Sequence, residues 1–139
     1  MQTSTVGSIV ALDVGEQRIG VASASTIARI AHPLLTLTHT DDIQQQITEL
    51  LRKEDAVALV VGLPRGLDGQ ETAQTGYVRA FIDALRPAVA VPVHFQDEAV
   101  TSRKAEAELI ARKKPYVKGD IDALAAAYIL EDYLNEGGA

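Results

Sequence analysis

Residues Ala56-Val-Ala-Leu-Val-Val61 form an unbroken apolar run, and this run restricts the fold more than any other feature of the chain. A strand with no polar side is stable only where both faces of its sheet are covered, the arrangement of α/β proteins with helices on either side. Gly62 and Pro64 are expected to stop it. A second buried strand is read at Ser8-Ile-Val-Ala-Leu-Asp13, followed by a short turn at Gly15 to Gln17 and another run at Ile19-Gly-Val-Ala22. Two such runs joined by so short a turn form a hairpin, so strands 1 and 2 are antiparallel. Pro33 precedes Leu34-Leu-Thr-Leu-Thr38, a third strand that continues the meander.

The remaining elements alternate between helix and strand. Asp41 and Asp42 open a helix with Ile43, Ile47, Leu50 and Leu51 at core spacing. After the loop Pro64 to Gly69, the segment Glu71 to Arg86 reads as a helix with Val78, Phe81, Ile82 and Leu85 inward, ended by Pro87. Val91-Pro-Val-His-Phe95 is a fifth strand, and Pro92 favours an edge position for it. A basic helix follows from Thr101 to about Lys113, then a loop from Pro115 to Gly119, then a closing helix from Asp120 to about Asn135. The order βββ-α-β-α-β-α-α implies an α/β fold with a mixed five-stranded sheet, strands 1 to 3 antiparallel and strands 1, 4 and 5 parallel, flanked by helices. Ligands in open α/β sheets collect at the carboxyl ends of the parallel strands. Asp13 ends strand 1 and Glu98 ends strand 5, so both are expected on that edge.

A length of 139 residues suits one compact domain, residues 1–139. The chain has no cysteine, which excludes a disulfide framework and any thiolate zinc site and suits a reducing cytoplasm. Met1 to Ser8 do not read as a signal peptide, and no stretch is long and apolar enough to span a membrane, so a soluble cytoplasmic protein is expected. The net charge of −6 argues against a surface that is basic throughout. Its distribution is uneven. From Arg103 to Lys118 there are six cations and two anions, a local excess that reads either as a solvated helix face or as a strip for phosphate.

Three acidic groups stand at element boundaries: Asp13, the pair Asp97-Glu98, and the pair Asp120/Asp122. Carboxylates converging from separate elements are what Mg2+ or Mn2+ requires, and two such ions can activate a water and stabilise the leaving oxygen of a phosphodiester. Each acid also has a plain structural reading. Asp13 before Gly15 can be a turn residue, Asp97 and Glu98 can precede a helix, and Asp120 can be an N-cap with Asp122 in the first turn. Asp13 is the hardest to explain that way, because a lone carboxylate in an apolar strand costs several kcal/mol unless paired. His32, His39 and His94 lack ligand-like spacing, Ser23, Ser25 and Ser102 lack a nucleophile elbow, and Gly62, Gly66 and Gly69 lack the spacing of a nucleotide fingerprint.

Leu12-Asp-Val-Gly-Glu-Gln-Arg-Ile-Gly-Val-Ala22 resembles the opening D-x-G-x-x-R-I-G-[VL]-A motif of the YqgF (RuvX) family of ribonuclease H-like nucleases. Val61-Gly-Leu-Pro64 with Asp68-Gly69 is similar to its V-G-L-P…D-G loop, and Gln96-Asp-Glu98 to part of its D-E-R motif. Lys118-Gly-Asp-Ile-Asp-Ala123 with Ala126 to Leu134 resembles its K-G-x-[IV]-D-x-x-A-A ending. The resemblance covers about residues 8 to 134. It implies a ribonuclease H-like sheet and a site in which Asp13, Glu98 and Asp122 are both the catalytic residues and the ligands of Mg2+ or Mn2+, with Asp97 and Asp120 in reserve. It also implies a metal-dependent endonuclease acting on structured nucleic acid, through 5′-end processing of pre-16S rRNA in ribosome biogenesis or, in the alternative, as a Holliday junction resolvase. The partner is then pre-rRNA or branched DNA, met by a monomer or a homodimer; the candidate contacts are Arg18, Arg65 in the Pro64 to Gly69 loop, and Arg103, Lys104 and Lys118 in the basic strip.

The chain departs from that pattern where Ala99 replaces the arginine of D-E-R and where Glu16-Gln17-Arg18 replaces T-K-R. Two cations are absent and one anion is added, which weakens phosphate contact more than metal binding. A catalytically weak member that binds nucleic acid or a protein partner is therefore the competing reading. An ATP-binding member of the actin and Hsp70 type also begins with D-x-G after a strand, but it needs two domains to enclose its nucleotide.

Overall fold

The computed structural model describes residues 6–98, 107–108, 110–112 and 118–137. Its elements are β1 (Ser8–Val14), β2 (Arg18–Ser25), β3 (His32–Thr38), α1 (Ile43–Lys53), β4 (Ala56–Pro64), α2 (Ala73–Leu85), β5 (Val93–Glu98) and α3 (Lys118–Asn135), with one 3-10 turn at Arg86–Ala88. The five strands form one mixed sheet in the order β3-β2-β1-β4-β5. Pairing is antiparallel for β1 with β2 and β2 with β3, and parallel for β1 with β4 and β4 with β5, as the element order implies.

The apolar character of β1 and β4 follows from cover on both faces. Val10, Leu12, Val14, Leu59, Val61 and Leu63 pack with Ile43, Ile47 and Leu51 of α1 and Val78, Ile82 and Leu85 of α2. The alternate residues Ile9, Ala11, Ala22, Ala24, Ala58 and Val60 pack against α3 through Leu124, Ala125, Ile129 and Leu130. The α3 layer is built mostly of small side chains on both sides, which brings the helix close to the sheet. Ile129 and Leu130 are fully buried there, and each contributes roughly 1.5–3 kcal/mol of apolar burial.

Several boundaries differ from the sequence reading, each for a physical reason. Strand β4 does not stop at Gly62 but runs to Pro64, since a glycine in a strand interior is also the residue that admits close packing. Strand β5 begins at Val93, after Pro92, and runs on through Glu98; it is the edge strand that the proline favoured, and the Pro92 carbonyl still accepts from the Leu59 N–H at 2.9 Å. Helix α2 begins at Ala73, because Thr72 and Thr75 exchange side-chain and backbone hydrogen bonds as a capping box. Helix α3 begins at Lys118, so Asp120 is an exposed first-turn residue and not the N-cap. Of the expected basic helix, residues 107, 108, 110 and 111 are helical, and Arg112 pairs with Glu108 one turn earlier at 2.8 Å. Arg103 and Lys104 lie outside the described residues.

Among the described residues, no helix is long and apolar enough to cross a membrane.

Candidate metal and nucleic-acid site

Strand alternation places Asp13 on the α3 face, in line with Ile9 and Ala11. Its neighbours across the sheet are glycines. On one side the β1–β2 register sets Asp13 opposite Gly20. A β-carbon on Gly20 would lie 1.9 Å from the carbonyl oxygen of Asp122 and 2.8 Å from the Ala123 nitrogen, so the first turns of α3 rest directly on β2 at this point. On the other side Leu12 is level with Val61, which puts Gly62 next to Asp13. A β-carbon on Gly62 would lie 2.4 Å from Ile129 and 3.2 Å from the carboxyl carbon of Glu98. The missing side chains make room for Asp122 to arrive from the helix and Glu98 from the edge strand.

The three carboxylates predicted from sequence are thus brought to one end of one face. Burial pushes the Asp13 carboxyl well above the usual carboxylate range, and the negative charges of Glu98 and then Asp122 push it further. Asp122 is held by Arg18, whose Nε donates to Oδ2 at 2.6 Å, with the two side chains 37% and 22% exposed. Arg18 follows the turn that Gly15 closes by donating its N–H to the Arg18 carbonyl at 2.9 Å. His39 braces the same turn from the other side. Its backbone N–H donates to Gln17 at 2.9 Å, and its Nδ1 lies 3.0 Å from the Gly15 carbonyl oxygen, as a donor in the Nδ1–H tautomer. An open cleft of about 350 Å³ runs along this edge, lined by Gly15, Glu16, Gln17, Arg18, Gln74 and Asp122.

Other expected participants are placed elsewhere. Asp97 is no reserve ligand. It alternates to the opposite face with Val93 and Phe95, and accepts from Arg65 Nε at 3.2 Å. Arg65 also lies 3.5 Å from Glu71, which in turn pairs with Arg79, so its guanidinium is held among carboxylates on the α2 side. His94 is in ring contact with Tyr133 of α3 at 5.7 Å. Sequence reasoning did not single out Gly20 or Thr75, and it read Gly62 only as a strand stop and loop glycine. The fully buried Thr75 hydroxyl donates to the Pro64 carbonyl, on the β4 residue level with Glu98, and so ties α2 to the strand end beside the site. The signal for the two glycines was present, since a glycine inside an apolar strand marks a close approach of another backbone or ligand.

A divalent cation suits this donor set. Carboxylate oxygens are the ligands that hard cations take, and a cation would favour ionisation of Asp13, which burial and the two neighbouring carboxylates oppose. Among the described residues, no three acidic or histidine side chains already stand in ligating positions, and Asp122 is engaged by Arg18. The fit is therefore one of donor chemistry and convergence, with a side-chain rearrangement at Asp122 required to complete it.

Comparisons with known proteins agree with this architecture. A protein of Roseiflexus sp. (strain RS-1), named as a candidate pre-16S rRNA nuclease, is 39% identical over 137 residues, covering 96% of this chain and 97% of its own. One of Chloroflexus aurantiacus with the same name is 42% identical over 131 residues, covering 91% and 86%. Among solved structures, Thermus thermophilus RuvC in complex with a Holliday junction substrate superposes with a TM-score of 0.56 at 19% identity, covering 95% of this chain and 98% of that one. The Fowlpox virus resolvase in complex with Holliday junction DNA gives 0.53 at 10% identity, covering 94% and 97%. These structural likenesses establish the fold, a RuvC-like sheet of the ribonuclease H type. The family described as RuvX, Holliday junction resolvase, matches residues 7–136, and the chain belongs to that family.

Proposed function

We propose that this protein is a metal-dependent endonuclease that hydrolyses phosphodiesters in structured nucleic acid, with the 5′ end of pre-16S rRNA as its substrate, in the cytoplasm. The observation that carries the proposal is the meeting of Asp13, Glu98 and Asp122 from three separate elements on one face of the sheet. The relatives named for pre-16S rRNA support the choice of substrate, and their similarity extends over nearly the whole chain.

In this reading Asp13, Glu98 and Asp122 hold Mg2+ or Mn2+. The bound cation supplies charge for the phosphate and a more acidic water. Asp13 is the central ligand, because its partly buried position excludes bulk water from one side. Glu98 and Asp122 approach it from either side, and the two glycines fix how near they come. Arg18, which lines the edge cleft, and Lys118, the first residue of α3, are taken in this reading as contacts to the nucleic-acid backbone. A net charge of −6 makes these cations important, since a polyanion otherwise meets an acidic protein.

The test is incubation with a pre-rRNA leader fragment and a four-way DNA junction, each with Mg2+, Mn2+ or EDTA, beside Asp13→Asn. Metal-dependent cleavage of the leader that is lost in the variant is the expected result. Cleavage that survives both EDTA and the substitution overturns the three-carboxylate site. Preference for the junction moves the substrate to branched DNA.

A further inference from the structure

We propose that Arg18 is an internal counter-cation that occupies Asp122 until a divalent metal ion displaces it. The proposal rests on the metal-site reading above and adds to it a competitor built into the chain.

The geometry is specific. The Arg18 Nε to Asp122 Oδ2 contact of 2.6 Å takes up an oxygen that a metal ion would need. The Asp122 main chain has no freedom to retreat, because its carbonyl is seated on Gly20. Exchange of partners must therefore occur by movement of side chains alone. Arg18 has space to move into. It lines the open cleft of about 350 Å³ with Gln17, Gln74 and Glu16, and Glu16 offers another carboxylate to the released guanidinium. The pair is also exposed enough to exchange, at 37% and 22%. Without metal, Arg18 reduces the repulsion among three converging acids. With metal, it becomes available at the mouth of the site, where a guanidinium can take a phosphate.

Isothermal titration with MnCl2, on wild type, Arg18→Gln, Arg18→Lys and Asp13→Asn, tests this directly, with thermal melts of the same proteins before and after saturation. A partly exposed ion pair of this kind corresponds to about a two- to fivefold effect, so Arg18→Gln is expected to bind Mn2+ about two- to fivefold more tightly. Its melting temperature without metal is expected to fall below wild type, and the gap to narrow on saturation. Arg18→Lys, which keeps the charge but not the planar donor set, is expected to lie between the two. A generally weakened fold would not raise affinity. Unchanged or weaker Mn2+ binding by Arg18→Gln overturns the competition, while wild type still binds and Asp13→Asn does not. Absence of Mn2+ binding by every form overturns the metal site itself, and this proposal with it.

Discussion

Replacing Gly20 with alanine places a methyl group 1.9 Å from the carbonyl oxygen of Asp122 and 2.2 Å from its carbon. Real β-carbons essentially never come nearer than 3.0 Å, so the first turns of α3 must lift by about 1.1 Å. Both obstructing atoms are backbone, and no flexible side chain can absorb the overlap. The helix resists because its next turns are anchored by Ala125, Ala126, Ile129 and Leu130, which are fully buried against the sheet. Overpacking of this kind costs about 1–3 kcal/mol, with the upper part of the range expected here. For a chain of this length that is a fall in melting temperature of roughly 3–10 °C. Displacing Asp122 by that distance is also expected to reduce cleavage by about 100-fold. Circular-dichroism melts and a cleavage assay at saturating Mg2+ measure the two effects. Gly76→Ala in α2 is the matched control, because a β-carbon there meets nothing within 4 Å. It is expected to stabilise by about 0.5–1 kcal/mol and leave cleavage unchanged. A Gly20→Ala protein that melts and cleaves like wild type would refute the claim that this contact seats the helix.

Asp13→Asn is expected to raise the melting temperature of the metal-free protein at neutral pH. The folded-state pKa of Asp13 is raised, so the folded protein binds more protons than the unfolded chain between the usual carboxylate range and that raised value. On this group's account stability falls as pH rises through that window, and metal-free melts from pH 4 to 8 should show a flatter profile in the variant; a steeper one would contradict the assignment. Thr75→Val removes the donor to the Pro64 carbonyl and is expected to destabilise by about 1–3 kcal/mol in urea unfolding, a midpoint equal to wild type being the contrary result. Glu98→Gln is expected to lower cleavage by about 100-fold or more, whereas Asp97→Asn, on the opposite face, should stay within about twofold. Equal losses in the two variants would show that β5 is wrongly faced.

Much of this arrangement was legible from sequence because it rests on local pattern. The apolar run at Ala56–Val61 required cover on both faces, and the hairpin at Gly15–Gln17 set the direction of β2; the sheet order then placed Asp13 and Glu98 on one edge. The motif resemblance added Asp122, which periodicity alone left as a first-turn residue. Reading strand parity along β5 would have separated Glu98 from Asp97, but the strand was read on its apolar run Val91 to Phe95, which begins two residues early and leaves both acids outside the alternation. The Arg18 pairing was not legible, since a cation 104 residues from Asp122 meets it only through the docking of α3. Gly62 was taken for a strand end because punctuation and close packing use the same residue. Only the position of Ile129 and Glu98 above it decides between them.

The seat of α3 on Gly20 also orders events in time. Asp13 and Glu98 belong to a sheet whose strands are complete by residue 98, whereas Asp122 arrives with a helix synthesised after it. A growing chain therefore carries two of the three acids with no partner helix, and its Asp13 face is left as a bare apolar slope of alanine, isoleucine and glycine. Docking of α3 closes that slope and delivers the third acid in the same movement. Under the proposed three-carboxylate site, cleavage competence and completion of the core become a single step, so an unfinished chain is expected to be inert toward the RNA around it.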